Sequence, residues 1–227
     1  MSTNLIIVSG ALSKHELRYT PKGTPLLEIS LVGKREVARN HVFFRTDLTF
    51  YGKLAEAWSD GLEDGRAYQA GGRLEYESWE KDGVKGSRLR IVGDELFALE
   101  EADLRDEGKG PILYGAENRV LLSGNLTADP EIRQTANKTP VAKAQLGFST
   151  WDYSAGQAKS HFVELEAWRT LAAQFTPLKK GSAVLVEGAL KTEVWEDEAS
   201  GAKRYKRVLE AQAVTRLSRV HSSARAA

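Results

Sequence analysis

Apolar and polar residues alternate along most of this chain with the period of strands. Leu27, Ile29 and Leu31 are separated by Glu28 and Ser30, and Leu5-Ile6-Ile7-Val8 forms a short apolar run before Gly10. Between them these segments predict two strands. Farther on, Val42, Phe44, Thr46, Leu48 and Phe50 share one parity while Phe43, Arg45, Asp47, Thr49 and Tyr51 share the other. That pattern predicts a third strand with a core face and an outward face. From Lys53 to Gly61 the period changes: Leu54, Ala57 and Trp58 fall at helical spacing and predict one short helix with those side chains inward. Two more strands follow, Tyr68 to Tyr76 and Arg88 to Leu99, with Lys81-Asp82-Gly83-Val84-Lys85-Gly86 as the hairpin turn.

The same order of elements then runs again. NLIIVSGALSKHELRYTPKGTPLLEISL, from Asn4 to Leu31, matches NRVLLSGNLTADPEIRQTANKTPVAKAQL, from Asn118 to Leu146, with one extra residue, Pro130. Farther along, YGKLAE from Tyr51 matches WRTLAA from Trp168, GRLE from Gly72 matches GALK from Gly188, and Trp79-Glu80 matches Trp195-Glu196. A repeat this long lies far beyond the ~20 to 50 residues of solenoids and propellers, so each copy is a small domain. Three strands, a helix and two strands is the order of the OB-fold, a five-stranded Greek-key barrel. The expected fold is therefore all-β with one short helix per domain, as tandem OB-fold barrels. The first spans residues 1–102 and the second 116–220, with a linker at 103–115 and a flexible C-terminus at 221–227. Asp103 to Pro111, reading DLRDEGKGP, is polar and glycine-rich. Gly10, Gly72, Gly124 and Gly188 suit the sharp bends of a small barrel.

Composition removes most catalytic readings. The 227 residues, 41% hydrophobic and 28% charged, supply two ordinary cores of about 100 residues each. There is no Cys, which excludes disulfides and thiol chemistry. His15, His41, His161 and His221 are scattered without the spacing of a metal pair. No phosphate-binding glycine loop is present, and Glu100-Glu101 and Glu196-Asp197-Glu198 stand in linker or turn contexts. No enzyme, cofactor or metal is expected. An N-terminus without a secretory pattern and no apolar run near the ~20 residues of a membrane helix lead to a cytoplasmic, non-membrane expectation.

What the two copies offer instead is aromatics interleaved with cations. In the first these are Phe43, Arg45, Tyr51, Arg73, Tyr76, Trp79, Lys81, Arg88 and Arg90. In the second they are Trp151, Phe162, Trp168, Arg169, Lys191, Trp195, Lys203, Arg204, Tyr205, Lys206 and Arg207. Bases stack on aromatic faces while cations follow phosphates, so this mixture fits single-stranded nucleic acid. Tyr51 and Trp168 have outward parity, Trp79 and Trp195 open charged hairpins, and Trp151 precedes a polar loop, whereas Trp58, Phe175 and Phe50 read as core. Asp47, Glu164 and Glu166 share the outward parity and oppose phosphates. Net charge does not decide the matter: 32 Lys and Arg stand against 31 Asp and Glu. A module binding protein or oligosaccharide through the same barrel face is the alternative, and the cations beside the tryptophans weigh against it.

The strings S-G-x-L, Y-G-K-L-A-E-x-W and G-x-L-x-x-x-x-W-E, with their second-copy counterparts, resemble the bacterial single-stranded DNA-binding proteins across Asn4 to Arg219. The doubling resembles the branch with two OB domains per chain. That resemblance implies sequence-independent coating of single-stranded DNA in replication, recombination and repair, and a homodimer presenting four barrels. It places Tyr51, Trp168, Trp79, Trp195, Trp151 and Phe162 at stacking positions. The first copy departs at two of these: Arg45 stands where Phe162 stands in the second, and Lys34-Arg35-Glu36 carries no aromatic to match Trp151. The strands at Asn4 to Ile7 and Asn118 to Leu121 are candidates for pairing across the dimer two-fold. Relatives usually end in an acidic tip that recruits repair proteins, whereas this sequence ends Ala-Arg-Ala-Ala, so recruitment through such a tip is not expected here. The second barrel, richer in aromatics, is expected to bind more tightly.

Overall fold

The computed structural model describes residues 3–81, 84–152, 156–196, 201 and 203–218, without the side chains of residues 81, 84 and 85. The expectations for Lys81 as a phosphate contact, for the turn at Asp82 and Gly83 and for residues 221–227 lie outside this description.

The first copy folds as β1 (Asn4–Tyr19), β2 (Pro25–Val37), β3 (Asn40–Tyr51), α1 (Lys53–Ser59), β4 (Ala67–Lys81) and β5 (Val84–Ala98). Strand β1 pairs antiparallel with both β2 and β4, β2 with β3, and β4 with β5. A parallel contact of β3 with β5, Leu48 opposite Ile91 and Thr49 opposite Val92, closes the barrel. Period-two alternation decides the faces: Phe44, Leu48 and Phe50 are buried while Phe43, Arg45 and Asp47 are exposed and Tyr51 is half-buried. Trp58 packs edge-on against Phe50, with ring centroids 5.1 Å apart. The helix, however, turns a different stripe inward from the one expected. Ala55 is its buried residue and Leu54 is exposed. In a seven-residue helix both phases keep Trp58 near the core, and the small Ala55 allows the closer approach.

The connecting segment is more than a polar spacer. β6 (Leu104–Asp106) and β7 (Pro111–Tyr114) form a small hairpin, and β7 runs parallel beside β2 with Lys34 opposite Tyr114. Ile112 and Leu113, at the apolar end of the linker, are buried there.

The second copy comprises β8 (Asn118–Leu126), β9 (Glu131–Gln134), β10 (Pro140–Asp152), β11 (Gln157–Trp168), α2 (Thr170–Ala173), β12 (Ala183–Glu196) and β13 (Lys203–Arg216). Its barrel closes by the parallel pair β11–β13, and Phe175 after the short helix is buried. The extra Pro130 falls between β8 and β9. Without an amide hydrogen it cannot serve in the ladder, so the single long first strand of copy one becomes two strands here. Equivalent bulges recur at Gly71/Gly72 and Glu187/Gly188. A Cβ at Gly72 or Gly188 would lie 2.3 Å or 2.2 Å from the carbonyl oxygen of Val92 or Glu210, so close strand approach demands glycine at both corners.

The two barrels are stitched together through their first strands. β1 pairs antiparallel with β8 from Asn4 opposite Leu122 to Val8 opposite Asn118, giving one sheet through both units. This corrects the expectation that these strands pair between chains. An edge strand presents one free row of amide and carbonyl groups, and here each copy satisfies the row of the other within the same chain.

Candidate nucleic-acid interface

Each barrel carries an outward tryptophan on its β4–β5 or β12–β13 hairpin. Trp79 and Trp195 are 45% and 46% exposed, so equivalent positions present nearly equal indole surface. Trp79 lies across Gly86, its cross-strand partner, where a Cβ would come within 2.5 Å of the ring. The Arg88 guanidinium sits 5.7 Å from the Trp79 ring centroid. Opposite Trp195 stands Arg204. Trp151, Phe162, Phe43 and Tyr205 are also exposed, while Trp168 is half-buried.

Tyr51 is less open than its parity suggests. Arg90 lies 5.3 Å from its ring and also donates to its hydroxyl. Burial pushes the Tyr51 hydroxyl above its usual range against the opposing charge of Arg90. Trp168 faces no such cap among the described residues. At the matching place on β13 stands Val208, since Leu48–Ile91 and Leu165–Leu209 are equivalent strand pairs.

The cations are largely held by carboxylates on neighbouring strands. Arg73 pairs with Glu75 at 3.1 Å and Asp94 at 2.5 Å, Arg88 with Glu77 at 2.9 Å, and Arg90 with Glu75 at 3.5 Å and Glu77 at 3.7 Å. Burial works against ionisation of Glu77, but the hydrogen bond from Arg88 and the charge of Arg90 outweigh it and hold that carboxyl below its usual range. In the second barrel Lys191 lies 3.3 Å from Glu193 and 3.8 Å from Glu166, and Lys206 pairs with Glu164. Glu166 itself is buried, with Lys143 at 2.8 Å. The acidic residues that oppose phosphates are thus neutralised in place. Arg45, Arg169 and Lys203 have no ion pair among the described residues and are exposed. Pairs in which both side chains are exposed, such as Arg73–Asp94, contribute little to stability.

Between the barrels runs a groove of about 1530 Å³ lined by residues of β1 to β5 on one side and of β8 and β10 to β13 on the other. Eight basic and five acidic side chains line it, so the basic excess of the whole chain is concentrated here. Of the expected site residues it gathers Phe43, Arg45, Tyr76, Arg88 and Arg90 with Phe162, Lys191, Trp195, Tyr205, Lys206 and Arg207. Tyr51, Arg73, Trp79, Trp151, Trp168, Arg169, Lys203 and Arg204 lie outside it. Arg207 is spoken for: it donates to the carbonyls of Leu89 at 3.3 Å and Asp47 at 3.2 Å and lies 3.7 Å from the Asp47 carboxylate. Burial lowers its pKa. It therefore bridges the two barrels. Arg35, donating to Glu210 at 2.9 Å, does likewise.

Two features escaped the sequence reading. His161 is fully buried, its Nδ1 2.8 Å from the Tyr76 amide nitrogen and its Nε2 2.7 Å from the Thr150 hydroxyl, so a side chain of one barrel receives a backbone hydrogen of the other. Asn4 and Asn118 each form a two-way amide clamp, to Leu74 and to Leu190 respectively. The identical Asn opening both repeats was the available signal for the second; a lone His gave none for the first. Among the described residues no cluster of metal-binding side chains occurs and no helix is long and apolar enough to cross a membrane.

The model of the single-strand binding protein family matches this chain twice, over residues 3–99 and 117–217. A single-stranded DNA-binding protein of Thermus thermophilus is 35% identical, covering 95% of this chain and 84% of its own length. That of Deinococcus radiodurans is 34% identical over 95% of this chain and 76% of its own. The crystal structure of wild-type single-stranded DNA binding protein from Thermus aquaticus superposes with a TM-score of 0.77 at 31% identity, covering 98% of this chain and 97% of that one. With both barrels matched and nearly the whole length aligned, this chain belongs to the single-strand binding protein family.

Proposed function

We propose that this chain binds single-stranded DNA without regard to sequence, coating and protecting it during replication, recombination and repair in the bacterial cytoplasm or nucleoid. It acts by binding and not by catalysis. The observation that carries this reading is the repeated exposed tryptophan, Trp79 and Trp195, at equivalent hairpins beside Arg88 and Arg204. A base has a π-face whatever its identity, so stacking on these rings tolerates any sequence. Titrating intrinsic tryptophan fluorescence with oligo-dT at two salt concentrations tests it. Saturable quenching with an affinity that falls as salt rises is expected, since displaced counterions tie binding to ionic strength. Absence of quenching, or binding insensitive to salt, would favour a protein or oligosaccharide partner instead.

The same reading includes a homodimer of four barrels. With β1 and β8 paired inside the chain, the face we assign to a second copy is the outer face of the continuous sheet. There Leu5 and Leu121 are cross-strand partners, flanked by Ile7 and Leu185, and Leu5 is 44% exposed. Arg119, opposite Ile7, and Glu187, opposite Leu121, pair with each other at 2.8 Å within the same face, so a two-fold contact there would join apolar side chains around a charge pair that is already compensated. Light scattering is expected to report twice 25.0 kDa, with Leu5→Glu shifting the particle to the monomer. A wild-type monomer at micromolar concentration would refute it.

A further inference from the structure

We propose that the groove between the barrels is the crossing through which one DNA strand passes from the first barrel to the second, with Tyr76 as the platform at the crossing. This rests on the single-strand binding reading and adds a path to it. Tyr76 lines the inter-barrel groove and also the smaller pocket beside Trp79, Ser78 and Gly86. A strand stacked on Trp79 therefore reaches the groove without leaving aromatic surface. On the far side Tyr76 meets Phe162 of the second barrel edge to face, with centroids 5.9 Å apart. Phe162 is exposed, and Trp195 and Tyr205, which continue along the groove, are exposed as well. Aromatic surface so concentrated in one groove marks a binding site.

Charge agrees with this path. The acids of the groove that face the crossing, Asp47, Glu164 and Glu210, are each neutralised by Arg207, Lys206 or Arg35. Arg45 is left exposed in the groove with no ion pair among the described residues, free to meet a phosphate. The crossing is also preformed. β1 pairs with β8, and His161 accepts the Tyr76 amide hydrogen, so the backbone under the platform is fixed by the opposite barrel. A strand bound on one barrel then meets the second at high effective concentration without ordering the protein.

The test compares the whole chain and its Tyr76→Leu variant on two lengths of oligo-dT. One is about 8 nucleotides, within the ~4 to 16 that one OB-fold holds, and the other about 30. Loss of the platform should weaken the long oligonucleotide about fivefold or more and the short one less than twofold, because a short strand settles on one barrel without crossing. Equal losses at both lengths would assign Tyr76 to the first barrel's own track, and no loss at either would remove it from the path; both overturn the crossing. Wild-type protein that fails to bind oligo-dT at all would overturn the broader reading instead. Since Tyr76 is half-buried, Arg45→Gln is the second variant. It should also discriminate by length and should lower the salt slope for the long oligonucleotide by about 0.7, the value of one phosphate contact on a single strand; an unchanged slope overturns the proposal.

Discussion

His161 makes the junction between the barrels depend on pH, with a sign and a size that follow from its bonds. Its Nδ1 accepts the Tyr76 amide hydrogen, so the ring proton of the neutral form resides on Nε2 and is donated to Thr150. The ring is fully buried and stacks on Phe148 at 5.2 Å. Burial lowers its pKa; the backbone of Tyr76 and the charge of Glu75 act the other way, and Lys159 and Arg73 add to the lowering. A proton on Nδ1 would point at the Tyr76 N–H, leaving two donors face to face. The unfolded chain binds that proton with an ordinary pKa of about 6.5, so the stabilisation is fully present above that pH and is lost as pH falls toward the depressed folded value. One group changes stability by at most about 1.36 kcal/mol per pH unit, so from pH 6.5 to 5 the loss is bounded by ~2 kcal/mol. The Tyr76 carbonyl, 3.3 Å from Nδ1, can accept the added proton and brings the expectation below that bound. Urea unfolding of the wild type and of His161→Gln at pH 7.5 and pH 5 reads the difference. Glutamine can still accept the Tyr76 hydrogen but does not titrate, and the carboxylates common to both proteins cancel. The wild type should lose about 1 to 2 kcal/mol more than the variant on acidification. Parallel pH dependences would show that His161 is not held neutral and that its bond to Tyr76 is not the one inferred.

Trp195→Ala should weaken oligo-dT binding by about 1 to 3 kcal/mol, one base stack, with the fold retained by circular dichroism; unchanged affinity would make this indole a structural residue. Gly188→Ala should cost more than about 2 kcal/mol in urea unfolding, because the new methyl would collide with the backbone oxygen of Glu210, and a neutral result would show that β12 can shift at this corner. Arg169 has φ 58 where the first copy has Gly52 at φ 67, so Arg169→Gly should raise stability by about 1 kcal/mol; a loss would mean that the side chain contributes more than the backbone strain costs. Trp168→Ala should weaken binding to oligo-dT more than Tyr51→Ala, since the Tyr51 ring is already capped by Arg90; the reverse order would show that the guanidinium–tyrosine stack is itself a base platform.

The strands and their faces were legible because alternation is a local property: Phe50 in and Tyr51 out follow from the pleat whatever the partner strand is. The tandem organisation was legible because the repeat preserves its punctuation, Gly10 with Gly124 and Gly72 with Gly188. The helix phase was not, because Ala55 and Leu54 are one residue apart in an element too short to show a period. Nor were the ion pairs that occupy Arg73, Arg88, Arg90 and Lys191, since Glu75 and Glu77 meet Arg90 only through the register of β4 against β5. An exposed first strand reads the same whether its partner lies in the same chain or in another. Sequence pattern identified the edge, and only the fold revealed that β8 fills it.

Joining the copies in one chain has allowed the contact between them to become one-sided. The β1–β8 ladder is symmetric, but the bonds beside it are not. The counterpart of Tyr76 is Thr192, and that of His161 is Phe44, so the amide-to-imidazole bond has no twin among the described residues. Arg35 corresponds to Thr150 and Glu210 to Val92, so the Arg35–Glu210 ion pair has no twin among the described residues either. Arg207 corresponds to Leu89, whose carbonyl it contacts, which sets these two matched positions against each other across the pseudo-two-fold. Two copies of the first barrel would bring Tyr76 against Phe44 and lose the histidine, and two copies of the second would bring Thr192 against His161 and lose the Tyr76–Phe162 contact. Either half alone could still pair through its first strand, but neither would rebuild the groove. Comparison of the barrels as isolated fragments would therefore measure new dimers and not the halves of this protein. Their unequal contributions are separable only by substitution within the intact chain, where β1 and β8 hold the two faces in register.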